Sequence, residues 1–323
     1  MDVTASAPRF SVIVPIASSR QPIVLESLQQ MRPPRGGHEI LTELGPNPSR
    51  NRNLGIARAR AAILAFTDDD CRVAPDWLER AGAFFDAHPE FDAVGGPQLN
   101  ADTEGTIGRA SGYALASWFG AYRQCRRYRA ARLRLNATQW DLTSANLLVR
   151  RSAFDRWGRF DERLWPNEET ALLRRIEAGG GRIAYDPTIV VRHIRRASLR
   201  GLARQCFGYG CGRARQSRIE GLAIPGIGQV VPTVFLLYLV LLPLLASWST
   251  AALVPLIVYG AACLSMSVVT AATCADPAAA ALMPLAFLAI HTGYAAGLTV
   301  ETMRSWLVPH EGAAARSAVR RPA

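Results

Sequence analysis

Three consecutive carboxylates, Asp68, Asp69 and Asp70, follow the apolar run "AILAF" (62–66) with only Thr67 between. Like charges set side by side repel, and Asn, Gly or Ser would make a soluble turn at lower cost. The cluster therefore points to a positive partner. A hard divalent cation such as Mg²⁺ or Mn²⁺ takes carboxylate oxygens and bridges to phosphate, which is one chemistry such a cluster serves. Acids that complement the dipole of a following helix are the plain alternative. A second acidic pair, Glu168–Glu169, stands in "NEET" (167–170) at the start of a helical pattern. A carboxylate within hydrogen-bond reach can take the proton of a hydroxyl nucleophile, although first-turn acids also suit the dipole. His193 ends "VVRH" among arginines, and alone it reads more readily as a surface histidine than as a metal ligand.

The elements that must position these residues alternate. "FSVIVPI" (10–16) is a buried strand, "IVLESLQQM" has helical spacing, "HEILTEL" (38–44) is a second strand ending near Glu43, and "NPSRNRNLGIARARA" (47–61) turns into a helix with Arg on one face. "AILAF" is a third buried strand, and "APDWLERAGAFFDAHP" starts a helix near Pro75. "FDAVGGPQL" (91–99) is expected to form one more strand, and residues 141–193 to give strand, helix, loop, helix and strand. Such alternation predicts an α/β domain with a mostly parallel sheet. Ligands bind such sheets at the carboxyl ends of the strands, where Glu43 and Asp68–Asp70 are expected.

Composition divides the 323 residues into two parts. The first part, to about residue 220, is charged and mixed; between Val230 and Val300 only Asp276 carries a full charge. All 37 basic residues are arginine, so Schiff-base, P-loop and pyridoxal lysine chemistry is excluded. A net charge of +11 beside a long apolar tail favours an anionic membrane surface over nucleic acid. The six cysteines show neither CxxC spacing nor a pairing framework and read as reduced thiols. "VIVPI" is too short for a signal-peptide core, which leaves the first domain expected in the cytoplasm.

Residues 194–222 alternate arginine with Leu, Phe and Tyr, the pattern of an interfacial helix. Three apolar segments follow, at about 230–247, 251–272 and 281–300, each near the length of a membrane span. Pro232 and Pro243 leave a re-entrant hairpin open for the first. Arginine-rich sequence flanks both ends of this region, which calls for an even number of spans, whereas the count is three. The expected organisation is a catalytic domain over 1–193, an amphipathic segment over 194–229, a transmembrane region over 230–300 and a basic tail over 301–323.

In order and spacing, "SVIVP", "SRNRNLGI", "ILAFTDDDC", "SANLLVRRSAFDRWGRFDE", "NEETALLRRIEAGGGRIAYDP", "VVRH" and "RQCFGYGCGRAR" together resemble the family 2 glycosyltransferases over roughly residues 8–210. That resemblance implies a GT-A fold, an inverting reaction that needs a divalent metal, Mg²⁺ or Mn²⁺, and a nucleotide-sugar donor. Asp68 and Asp70, with His193, would hold the metal; Asp68, Asp69, Ala17, Ser18, Glu43, Arg52, Gln205 and Arg213 would contact the donor. Glu169 would be the base with Glu168 in support, in a position where the family usually has Asp. Asn146, in "TSAN" (143–146), would face the acceptor, with a turn asparagine as the plain reading.

"ILTELGPNPSR" has a shortened nucleoside loop with Glu43 as its remaining acid, and a clean QxxRW is absent, so one sugar per encounter is expected rather than a polymer. The implied partner is a lipid-linked acceptor at the cytoplasmic face of the inner membrane, in exopolysaccharide or cell-envelope glycan synthesis. A degenerate transferase domain acting as a membrane scaffold is the alternative. A phosphatase built on a DxD motif ranks lower, because the acids follow the third strand and lysine is absent.

Overall fold

The computed structural model describes residues 7–17, 21–221 and 227–307. The amino-terminal part runs β1 (Phe10–Ile16), α1 (Val24–Gln29), β2 (His38–Leu44), α2 (Pro48–Arg58), β3 (Ile63–Phe66), β4 (Cys71–Val73), α3 (Trp77–Ala87), β5 (Ala93–Gly95) and β6 (Gln98–Asn100). It continues through α4 (Thr106–Ala116), α5 (Trp118–Ala121), a 3-10 segment (Tyr122–Tyr128), β7 (Leu147–Arg150), α6 (Arg151–Trp157), α7 (Glu168–Ala178), β8 (Ile183–Tyr185) and β9 (Val191–His193). Four long helices follow: α8 (Leu199–Ile219), α9 (Ile227–Trp248), α10 (Val254–Cys274) and α11 (Pro277–Leu307).

The main sheet has the order β2-β1-β3-β7-β5-β8. β7 pairs antiparallel with both its neighbours while the other pairings are parallel, so β7 alone opposes the common direction. β1 and β3 are apolar almost throughout because helices cover both their faces. Alternation divides their side chains: Val12, Val14, Ile63 and Ala65 pack with Leu28, Trp77 and Phe84 beneath α1 and α3. Ile13, Leu64 and Phe66 pack on the other face with Ile56, Phe154 and Leu172, from α2, α6 and α7.

One expected strand is two. "FDAVGGPQL" gives β5 in the main sheet and β6 in a separate three-stranded sheet of order β4-β9-β6. The break falls at Gly96, where a Cβ would lie 2.0 Å from the carbonyl oxygen of Ile189, so only glycine lets the chain change sheets there.

The three expected apolar segments fall within helices long and apolar enough to cross a membrane, Gly228–Trp248, Thr250–Cys274 and Pro277–Ser305. α9 runs unbroken through Pro232 and Pro243, a helix where a re-entrant hairpin was open. α8 and α11 lie parallel in close contact. A Cβ on Gly293 would be 2.5 Å from Ala203 O, one on Gly297 2.0 Å from Phe207 O, and one on Gly210 2.1 Å from Tyr294 O. Small residues thus let the two backbones touch. At one end of α11, Asp276 takes a 2.6 Å ion pair from Arg109 of α4; near the other, Glu301 takes one of 2.8 Å from Arg215 of α8.

Candidate functional site

Asp68–Asp70 bridge β3, in the middle of the main sheet, to β4, at the edge of the small one. Asp69 turns back toward the loop after β1: its Oδ2 accepts from the Ala17 amide at 3.2 Å, and its carbonyl accepts from Val24 N at 3.4 Å. Ala17 lines the resulting cavity, and Ser18 lies outside the described residues. In the antiparallel β4–β9 pair Cys71 stands opposite His193, so the ladder carries the histidine to the acidic turn.

His193 Nε2 lies 3.2 Å from Asp70 Oδ1, and ligand atoms of Asp70, Cys71 and His193 all fall within 4.8 Å of one another. Nδ1 of His193 is buried with no hydrogen-bond partner. Burial, reinforced by Asp68 and Asp70, pushes the Cys71 thiol well above its usual range in the metal-free chain, and its soft sulfur matches a hard cation poorly. A carboxylate and an imidazole remain, a donor set that suits Mn²⁺ or Mg²⁺ with other positions left to water and phosphate oxygens.

Asp68 has a different partner. Arg52, on the α2 helix that Asn47 caps, donates from Nη2 to Asp68 Oδ1 and from Nη1 to Glu168 Oε1, both at 2.6 Å. The arginine and Glu168 side chains are each only 3% exposed. Burial outweighs the pull of Arg52 and, with Glu169 and Asp68 nearby, pushes the Glu168 carboxyl up to about 7. Among the described residues, Asp68 thus joins the Arg52 bridge and stays outside the Asp70–His193 cluster.

Asn167 enters α7 in the left-handed conformation (φ 88°), which asparagine tolerates better than most residues, and the next two residues are the glutamates. Glu169 accepts from Arg127 Nη1 at 2.9 Å, and Arg127 is fixed by bonds to the carbonyls of Gln139 and Trp140. In the sequence Arg127 is one of a run of arginines with Arg123, Arg126, Arg129, Arg132 and Arg134. Its neighbours in that run are also arginines, and the irregular 3-10 backbone gives no period that would single it out.

These groups line one cavity of about 1100 Å³ together with Gln205 and Arg213 of α8. Arg213 sits 4.7 Å over the Trp140 ring and donates to Gln216 at 2.6 Å. Gly228, Gln229 and Pro232 of α9 and Ile290, His291 and Tyr294 of α11 complete the wall, a contribution from the apolar helices that hydropathy alone does not disclose. Two expected contacts are not brought there. Glu43 points to Arg58, 2.6 Å away, and the cavity lining beside it is Gly45, Pro48 and Asn51. The Asn146 side chain is fully buried; it accepts from Trp77 Nε1 and donates to the carbonyls of Pro97 and Ile189, so it pins β7 to the small sheet while Ser144 and Ala145 face the cavity.

Residues 19–158 match the model of the family described as "Glycosyl transferase family 2". The chain is 31% identical over 162 residues to the pre-mycofactocin glycosyltransferase of Mycobacterium tuberculosis, covering 50% of this chain and 33% of that protein. It is 32% identical over 169 residues to the succinoglycan biosynthesis protein ExoA of Rhizobium meliloti, covering 51% of this chain and 49% of that protein. The chain thus spans half or less of the length of the curated relatives it matches. Among solved structures, the mannosyltransferase PcManGT from Pyrobaculum calidifontis, in complex with GDP-Man and Mn²⁺, superposes with a TM-score of 0.51 over 92% of this chain and 87% of that one, at 16% identity, a likeness of fold. Residues 19–158 are thus similar to glycosyl transferase family 2 domains, and the mixed sheet flanked by helices, with its acidic turn at the carboxyl end of a central strand, has a GT-A-like fold followed by long apolar helices.

Proposed function

We propose that this protein is an inverting, metal-dependent glycosyltransferase that moves one sugar from a nucleotide-sugar to a lipid-linked acceptor at the cytoplasmic face of the membrane, in exopolysaccharide or envelope glycan synthesis. The observation that carries the reading is convergence. The Asp70–His193 pair, the Glu168–Glu169 pair and the first turns of α9 face a single cavity. The named relatives, glycosyltransferases or an exopolysaccharide biosynthesis protein, support the reaction class and pathway.

Asp70 and His193 would hold the metal, which when bound neutralises charge developing on the departing diphosphate. Glu169 takes the proton of the acceptor hydroxyl as its oxygen bonds to the anomeric carbon and the bond to the nucleoside diphosphate breaks. Arg127 fixes that carboxylate on one oxygen, leaving the other for the hydroxyl. Arg52 holds Glu168 beside it and ties the partly exposed Asp68 to the same guanidinium. The apolar wall from α9 and α11 supports an acceptor whose lipid stays in the bilayer while its polar end reaches Glu169.

The test is thermal unfolding of the full chain in detergent with a panel of nucleoside diphosphates, with and without Mn²⁺. A nucleotide at a hundred times its dissociation constant adds about 2.7 kcal/mol of stability. Stabilisation by one nucleotide that needs Mn²⁺ and disappears in Asp70→Asn is the expected result. No stabilisation by any nucleotide, or an Asp70→Asn protein that still transfers sugar, would overturn the reading.

A further inference from the structure

We propose that only α9 and α10 cross the bilayer, that α11 lies along the amino-terminal domain at the membrane surface, and that residue 307 therefore stands on the same side as that domain. The inference rests on the membrane location argued above and goes beyond it.

Length and composition make α11 a span, but its surroundings do not. In its most apolar stretch 44% of residues are buried in the protein, against 0% for α9 and 11% for the segment containing α10. Ala279, Ala280, Met283, Ala286 and Phe287 pack into one cluster with Ala110 and Ala114 of α4 and Leu202 and Cys206 of α8. Farther along, Gly293 and Gly297 seat directly on the α8 backbone. The helix is thus accompanied by polar-domain elements from end to end.

Its charged ends belong to that domain as well. Asp276 is paired with Arg109 of α4, and Glu301 with Arg215 of α8. If α11 crossed the hydrocarbon, α8 would go with it, because the two run parallel in contact from Ala203 and Gly293 to Arg215 and Glu301. The exposed arginines Arg200, Arg204 and Arg218 of α8 would then face acyl chains. Laid in the interface, the same arginines meet anionic headgroups. α8 is also tied to the domain at its far end, where Arg174 of α7 pairs with Glu220.

The α9–α10 hairpin has the opposite character. Val231, Val240, Ile257 and Val268 are between 59% and 69% exposed, and Trp248 at the tip is 85% exposed, as an aromatic anchor at the distal interface would be. The return of α10 ends at Cys274, two residues from the Asp276–Arg109 pair, so the hairpin comes back to the side it left. Two spans give the even number that arginine at both flanks demands. The partner of the hairpin surface is the hydrocarbon of the bilayer; that of α11 is this chain.

The experiment places single cysteines in the full chain, in a background with the exposed Cys274 changed to serine, the other five thiols being buried. Exposed positions serve as reporters: Glu79→Cys for the domain, Ser247→Cys for the hairpin tip and Leu307→Cys for the end of α11. Sealed membrane vesicles of each orientation are treated with a membrane-impermeant maleimide, and labelling is compared before and after detergent. Glu79→Cys and Leu307→Cys should react from one side and Ser247→Cys from the other. Leu307→Cys reacting with Ser247→Cys would make α11 a span and overturn the inference while leaving the membrane reading intact. All three reacting from one side would remove both.

Discussion

Arg52 joins the turn after β3 to the start of α7, so the two acidic motifs form one electrical unit. Removing it leaves Glu168 buried without its counter-charge. Because Glu168 can take up a proton once Arg52 is gone, Arg52→Ala should lower thermal stability by less than the cost of a stranded buried charge, about 3–5 kcal/mol, and by more at high pH than at low. Arg52→Lys should rescue little, because one ammonium cannot fork to two carboxylates. Glu168 makes a second prediction. Its carboxyl is raised from 4.5 to about 7, so the stability it contributes is full below pH 4.5 and declines as pH rises through 7. Measured by unfolding at a series of pH values, the wild type should lose on the order of 3 kcal/mol relative to Glu168→Gln between pH 4 and 8. The acids themselves were legible in the sequence because like charges in a row need a reason. Arg127 and the inward commitment of Asn146 were not, since each depends on a partner far along the chain: Glu169 for one, Trp77 for the other.

Among the elements, the α8–α11 seam is the contact most sensitive to one added side chain. Gly297→Leu should force the helices apart and cost about 1–3 kcal/mol, more if the seam cannot relax. Gly208→Ala is the internal control. Nothing lies within 4 Å of its would-be Cβ, so the gain in helix propensity, up to about 1 kcal/mol, should appear uncompensated. Thermal midpoints in one detergent distinguish the two directions. The strands β1, β2 and β3 were readable from alternation and buried runs. The second sheet was not, because its strands are three residues long and gain their order only from pairing. The seam did leave a mark, two glycines four apart in "GYAAG" (293–297), which hydropathy passes over as merely apolar.

For the whole molecule, α11 is part of the folded body rather than a detachable anchor. Met283, Phe287 and Ile290 share a core with α4 and α8, and α11 supplies a wall of the cavity. Truncation after residue 221 should therefore expose that core face and give aggregated protein without nucleotide binding, as size-exclusion chromatography and the thermal assay would report. The Asp276–Arg109 pair has a further consequence. Through it, the turn between two apolar helices is tied to the domain that holds the acidic turn, which in the proposed membrane setting would hold the reacting centre at one height above the acyl chains. On the proposed lipid-linked acceptor such a geometry would act as a ruler for the distance between the free hydroxyl and the lipid, and the rate should peak at one head-group length and fall for shorter and longer ones.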